Sequence, residues 1–132
     1  MDIFSGGGGA AGAAEAAPMV AFEKTNGLKV TLFPRKEGDG SVVVVAKFAN
    51  SLTVPMTNFV FEAAVPKFIT LSIQPATGQV LPPQTELVTQ TMRCVNSTQG
   101  EKGLLMKLRI GYVCNGTPVQ EMGQVGGFPP GY

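Results

Sequence analysis

The chain has 132 residues, room for one domain and one core, with 44% hydrophobic residues, 14% charged residues and a net charge of +1. So even a balance argues against a nucleic-acid binder, which concentrates basic excess, and the absence of histidine removes the commonest general base and metal ligand. Cys94 and Cys114 lie too far apart for a CxxC pair, so neither a zinc site nor a thioredoxin-like centre is available.

Residues 1–18 are glycine- and alanine-rich, from Gly6 to Gly9 onward to Pro18. Such a segment buries too little apolar surface to offset its ordering entropy, and it reads as a disordered tail or hinge remnant. The glycines lack the following Gly-Lys-Ser/Thr of a phosphate loop. The start carries no basic end or apolar stretch of a secretory signal, and no run reaches the roughly 18 apolar residues of a membrane span. A cytosolic protein with free thiols is the expectation.

From Met19 to Tyr132 short β-branched and aromatic runs alternate with turn signals about every 8–12 residues, the pattern of an all-β sandwich. Leu28, Val30 and Leu32 alternate with Lys29, Thr31 and Phe33, and the run ends at Pro34 and the polar loop Arg35 to Gly40. Val42 to Phe48 reads as a strand buried on both sides. Asn58 to Val65 follows Pro55; Ile69, Leu71 and Ile73 alternate up to Pro75; a long strand runs from about Glu86 to Val95. Leu104 to Val113 leads to Asn115-Gly116, a hairpin signal because both residues tolerate positive φ. Pro118 to Val125 forms a last short strand or turn. No stretch sustains a helical period, so the sum is about seven or eight strands.

Alternation assigns faces. Met106, Leu108, Ile110 and Tyr112 point to the core; Leu105, Lys107, Arg109 and Gly111 point away. Lys107 and Arg109 therefore project from one face about 7 Å apart. With Lys67 they would frame an apolar patch suited to a short acidic peptide with an aromatic or aliphatic anchor. The same pattern also fits a solvated basic face that protects a strand edge. Cys94 and Cys114 read as small core residues, and a bond between them stays open. Asn96-Ser97-Thr98 and Asn115-Gly116-Thr117 match the glycosylation sequon, which matters only in a secreted protein. The acids are scattered, and no nucleophile has a base, so no catalytic site and no cofactor is expected.

The segment Asn58-Phe59-Val60-Phe61-Glu62-Ala63-Ala64-Val65-Pro66-Lys67 closely resembles the ear (appendage) domain of gamma-adaptin, shared with the Golgi-localised monomeric adaptors. Asn26-Gly27-Leu28-Lys29, Thr89-Gln90, Met106 to Tyr112 and Val125-Gly126-Gly127-Phe128-Pro129-Pro130 extend the resemblance over roughly Met19 to Pro130. It implies an immunoglobulin-like β-sandwich of about eight strands that binds short acidic/aromatic motifs of clathrin-coated-vesicle accessory proteins. It also implies a peripheral cytoplasmic place at the trans-Golgi network and endosomes, and possible attachment to an adaptor trunk in a longer gene product. Carried over, its peptide site comprises Ala64, Lys67, Ile73, Pro75, Lys107 and Arg109. Leu105 stands where some members have a third basic residue, which makes the site greasier. Ile73 shares its alternation with core-facing Leu71, so it belongs where strand meets surface. A free-standing ear without a trunk, or a secreted structural sandwich with paired cysteines, are the alternatives.

Overall fold

The computed structural model describes residues 17–23, 27–129 and 131–132, and the backbone of 13–15. Among the described residues the chain forms nine strands: β1 Ala13–Glu15, β2 Met19–Glu23, β3 Leu28–Glu37, β4 Val42–Asn50, β5 Met56–Ala64, β6 Ile69–Ile73, β7 Thr85–Asn96, β8 Met106–Cys114 and β9 Thr117–Val125. All pairings are antiparallel. One sheet has the order β1-β3-β4-β7-β6 with β2 also paired to β3; the other is β5-β8-β9. Two facing antiparallel sheets make this the β-sandwich the strand pattern predicts, of the immunoglobulin-like kind the resemblance implies. β1 lies within the glycine- and alanine-rich segment, most of which is outside the described residues, as are Asn26 and Pro130 of the resemblance.

The core follows the alternation. Leu28, Val30 and Leu32 from β3, Val42, Val44, Ala46 and Phe48 from β4, and Met106, Leu108, Ile110 and Tyr112 from β8 are all buried. Phe48 joins the two sheets, its ring 4.6 Å from that of Phe59 and 5.1 Å from that of Phe61 on β5. Tilted rings at these separations add edge-to-face attraction to the burial of their area.

Three sequence expectations need correction. β4 is not buried on both sides: Val43, Val45 and Lys47 are only half-buried, because they form the outer face of the larger sheet. β3 does not stop at Pro34 but runs to Glu37. On that edge β2 pairs no further than Leu32 and β1 begins at Arg35, so the ring falls in the gap between them and costs no ladder bond there. Thr117–Val125 is a full strand, closed onto β8 by Asn115 (φ 53) and Gly116 (φ 74), as the hairpin signal requires.

Two buried asparagines anchor the loops at one end of each long strand. Asn50 Nδ2 donates to the carbonyls of Val54 (2.9 Å) and Leu81 (3.0 Å), while Oδ1 accepts the Leu52 N–H. Asn96 Nδ2 likewise donates to Lys102 O (2.8 Å) and Tyr132 O (3.1 Å). Asn96 thus spends the very amide a glycan would need, and Cys94 and Cys114 are both free thiols. Cys94 is buried in the core as expected; Cys114 is only half-buried. Among the described residues no helix is long and apolar enough to cross a membrane, and no acidic or thiol cluster is placed to hold a metal.

Candidate functional site

The outer face of β5-β8-β9 owes its composition to a bulge. Met56 points inward, so strict alternation would turn Asn58, Val60, Glu62 and Ala64 inward too. Instead Asn58 adopts φ 50 and the register slips between Thr57 and Val60. The extra residue exchanges the faces: Phe59 and Phe61 enter the core, and Val60, Glu62 and Ala64 face solvent. On β8 the alternation alone suffices, leaving Lys107 and Arg109 exposed between buried Met106, Leu108 and Ile110.

Pairing then stacks these side chains into rungs. Glu62 lies opposite Arg109, which lies opposite Met122; Ala64 lies opposite Lys107, which lies opposite Gln124. A shallow hollow of about 280 Å³ opens here, lined by Glu62, Ala63, Ala64, Lys107, Leu108, Arg109 and Met122. Its floor is apolar and its rim charged. Arg109 is already engaged, its Nε donating to Glu62 Oε1 at 2.9 Å with Nη2 at 2.8 Å from the same oxygen. Among the described residues no carboxylate pairs with Lys107 or Lys67.

Of the seven expected site residues, Ala64, Lys107 and Arg109 meet in this hollow. Lys67 is exposed in the turn between β5 and β6, its Cα within roughly 11 Å of Ala64 by chain length alone. Exposure climbs along β6 from Ile69 (5%) through half-buried Leu71 to Ile73 (39%), so Ile73 surfaces where its strand ends. Pro75 lines a second hollow of about 210 Å³ with Phe59, Val60, Phe61, Ala76, Gln79 and Gln90. Leu105 is half-buried beside Gly126, just before β8. Ile73, Lys67 and Leu105 thus line neither hollow.

Sequence reasoning missed Glu62, Met122 and Gln90. Glu62 was within reach, two residues from Ala64 on the same alternation. Met122 needed the β8-β9 register. Gln90 is buried on β7, its Nε2 donating to Gln74 O at 2.8 Å and its Oε1 without a partner among the described residues. Asp39 and Cys94, whose titration is displaced, lie elsewhere. Hydrogen bonds from the Ser41 hydroxyl and N–H hold the Asp39 carboxyl below its usual value, and burial pushes the Cys94 thiol up to about 11.

The chain is thus a two-sheet, immunoglobulin-like sandwich with an open, apolar-floored hollow on the wall of its smaller sheet. Residues 17–129 match the adaptin C-terminal domain family. The chain is 42% identical over 118 residues to AP-1 complex subunit gamma-1 of Arabidopsis thaliana, covering 87% of this chain and 13% of that protein. It is 32% identical over 124 residues to ADP-ribosylation factor-binding protein GGA3 of Homo sapiens, covering 87% of this chain and 17% of that protein. Among solved structures, the GAE domain of yeast GGA1 superposes with a TM-score of 0.77 at 23% identity, over 86% of this chain and 99% of that one. The chain belongs to the adaptin C-terminal domain family, as a gamma-adaptin ear. It spans 13% of the length of the Arabidopsis relative and 17% of the human one.

Proposed function

We propose that this ear captures short peptide motifs of clathrin-coated-vesicle accessory proteins in the hollow on its smaller sheet, in transport at the trans-Golgi network and endosomes. The observation that carries the reading is an apolar floor (Ala63, Ala64, Leu108, Met122) framed by Lys107 and Arg109 in a cleft wide enough for one large side chain. An aromatic or aliphatic anchor enters the cleft, and a neighbouring acid meets Lys107, with Lys67 close along the chain. The second hollow, reached along the same strand β5 and bordered by Pro75, suits a second apolar residue of the same extended peptide, with Ile73 and Leu105 at the periphery.

Magnitudes set the roles. Burying one Phe-sized anchor gives ~1.5–3 kcal/mol, whereas each exposed ion pair gives ~0.2–1 kcal/mol. Two anchors, some main-chain hydrogen bonds and one or two ion pairs reach roughly micromolar affinity, about −8 kcal/mol. Affinity of this order allows reversible recruitment during coat assembly. Calorimetry with peptides of the Phe-Gly-Asp-Phe type tests the site: wild type should bind, while Ala64→Glu, which puts a charge on the apolar floor, should not. Equal binding by both would remove the hollow from the account.

A further inference from the structure

Glu62 occupies the group that an acidic ligand would seek. It lies directly across from Arg109 in the β5-β8 ladder, where opposite Cβ atoms are about 4.5–5.5 Å apart, so the pair forms without any loop having to order. One carboxylate oxygen takes both the Nε and the Nη2 of the guanidinium, at 2.9 and 2.8 Å. That side of the guanidinium is one of the forks by which arginine receives a carboxylate with two parallel bonds. Both side chains also line the hollow, and both remain about half exposed, at 54% and 56%.

We propose that Glu62 is a specificity-determining residue of this ear: an internal stand-in for the ligand's acid that holds Arg109 and weakens the site's demand for acidic peptides. The proposal rests on the peptide-binding reading above and deepens it. An incoming aspartate finds Arg109 neutralised and meets the Glu62 charge as well, so of the two described cations lining the hollow Lys107 is the one left to reward it. A peptide with a neutral residue at that position loses little. The ear therefore favours ligands chosen by their apolar anchors, with acidity a secondary criterion. Because the pair is exposed, it is weak enough for a strongly acidic ligand to displace, which makes Glu62 a graded filter and not a block.

A two-by-two calorimetric cycle tests this, with wild type and Glu62→Gln each titrated with a Phe-Gly-Asp-Phe-type peptide and its Asp→Asn counterpart. Glutamine keeps the size and removes the charge. Glu62→Gln should tighten binding of the acidic peptide about three- to fivefold, the upper part of the range of one exposed ion pair, and leave the neutral peptide within about 1.5-fold. In an Arg109→Ala background most of that gain should vanish, because the released guanidinium supplies it. Equal effects on both peptides, or weaker binding of the acidic one, overturn the proposal while the peptide site stands. If neither peptide binds either folded protein, the peptide-binding reading falls and the role of Glu62 falls with it.

Discussion

Met122→Ala is the sharpest probe of how the hollow works. Met122 stands on β9 opposite Arg109, 67% exposed, whereas Leu108, the other long apolar side chain lining the cleft, is buried. Full burial of such a side chain gives ~1.5–3 kcal/mol. A peptide anchor covers only the portion now facing the cleft, so the loss should be about 1–1.5 kcal/mol, or roughly 5- to 12-fold in affinity. Lys107→Ala removes one exposed charge, ~0.2–1 kcal/mol and at most about fivefold. Its effect should shrink in 0.5 M salt, where screening acts within about 4 Å, while that of Met122→Ala should persist. Titration calorimetry at 0.15 and 0.5 M NaCl reads both. Since Met122 is exposed, its loss should leave unfolding stability within about 0.5 kcal/mol of wild type. The reasoning is refuted if Lys107→Ala costs tenfold or more while Met122→Ala stays within twofold.

Two further outcomes follow from the core. Phe48→Ala removes the ring that packs on Phe59 and Phe61 across the sheets, and should cost about 3–5 kcal/mol in urea unfolding followed by circular dichroism; a loss under about 1 kcal/mol would mean the sheets are held together elsewhere. Cys94 keeps its proton up to about 11 when folded, against 9.0 for the free thiol, so its contribution is complete below pH 9 and fades as pH rises from there towards 11. Comparing wild type with Cys94→Val at pH 8.5 and 10.5 should show the steeper fall in wild type, and at pH 8 a thiol reagent should label Cys94 only after unfolding. Rapid labelling of Cys94 in the native state would contradict its burial.

What the sequence reveals, and what it hides, divides along the range of the interactions. Alternation is local, so the inward set of β8 and the outward pair Lys107 and Arg109 could be read from spacing, as could the hairpin at Asn115-Gly116. The outward placement of Ala64 was legible from its nearest neighbours, but its cause was not. The bulge at Asn58 depends on a left-handed backbone that no apolar pattern announces. Pro34 misled because its tolerance in β3 depends on where β1 and β2 stop, a fact about other strands. The half-burial of Val43 and Val45 depends on how much of the outer face their neighbours cover, which composition does not specify. Glu62 and Met122 join the hollow only through the registers with Arg109, and register is a long-range property set by the whole sheet.

Chemical-shift mapping by NMR, during titration with a Phe-Gly-Asp-Phe-type peptide, bears most directly on the account. The largest shifts should fall on residues 62–64 of β5, 107–109 of β8 and Met122, with smaller ones around Pro75, and should saturate near micromolar peptide. Shifts confined to Val43, Val45 and Phe33 on the opposite wall of the sandwich would show that the ear takes its ligands on another face.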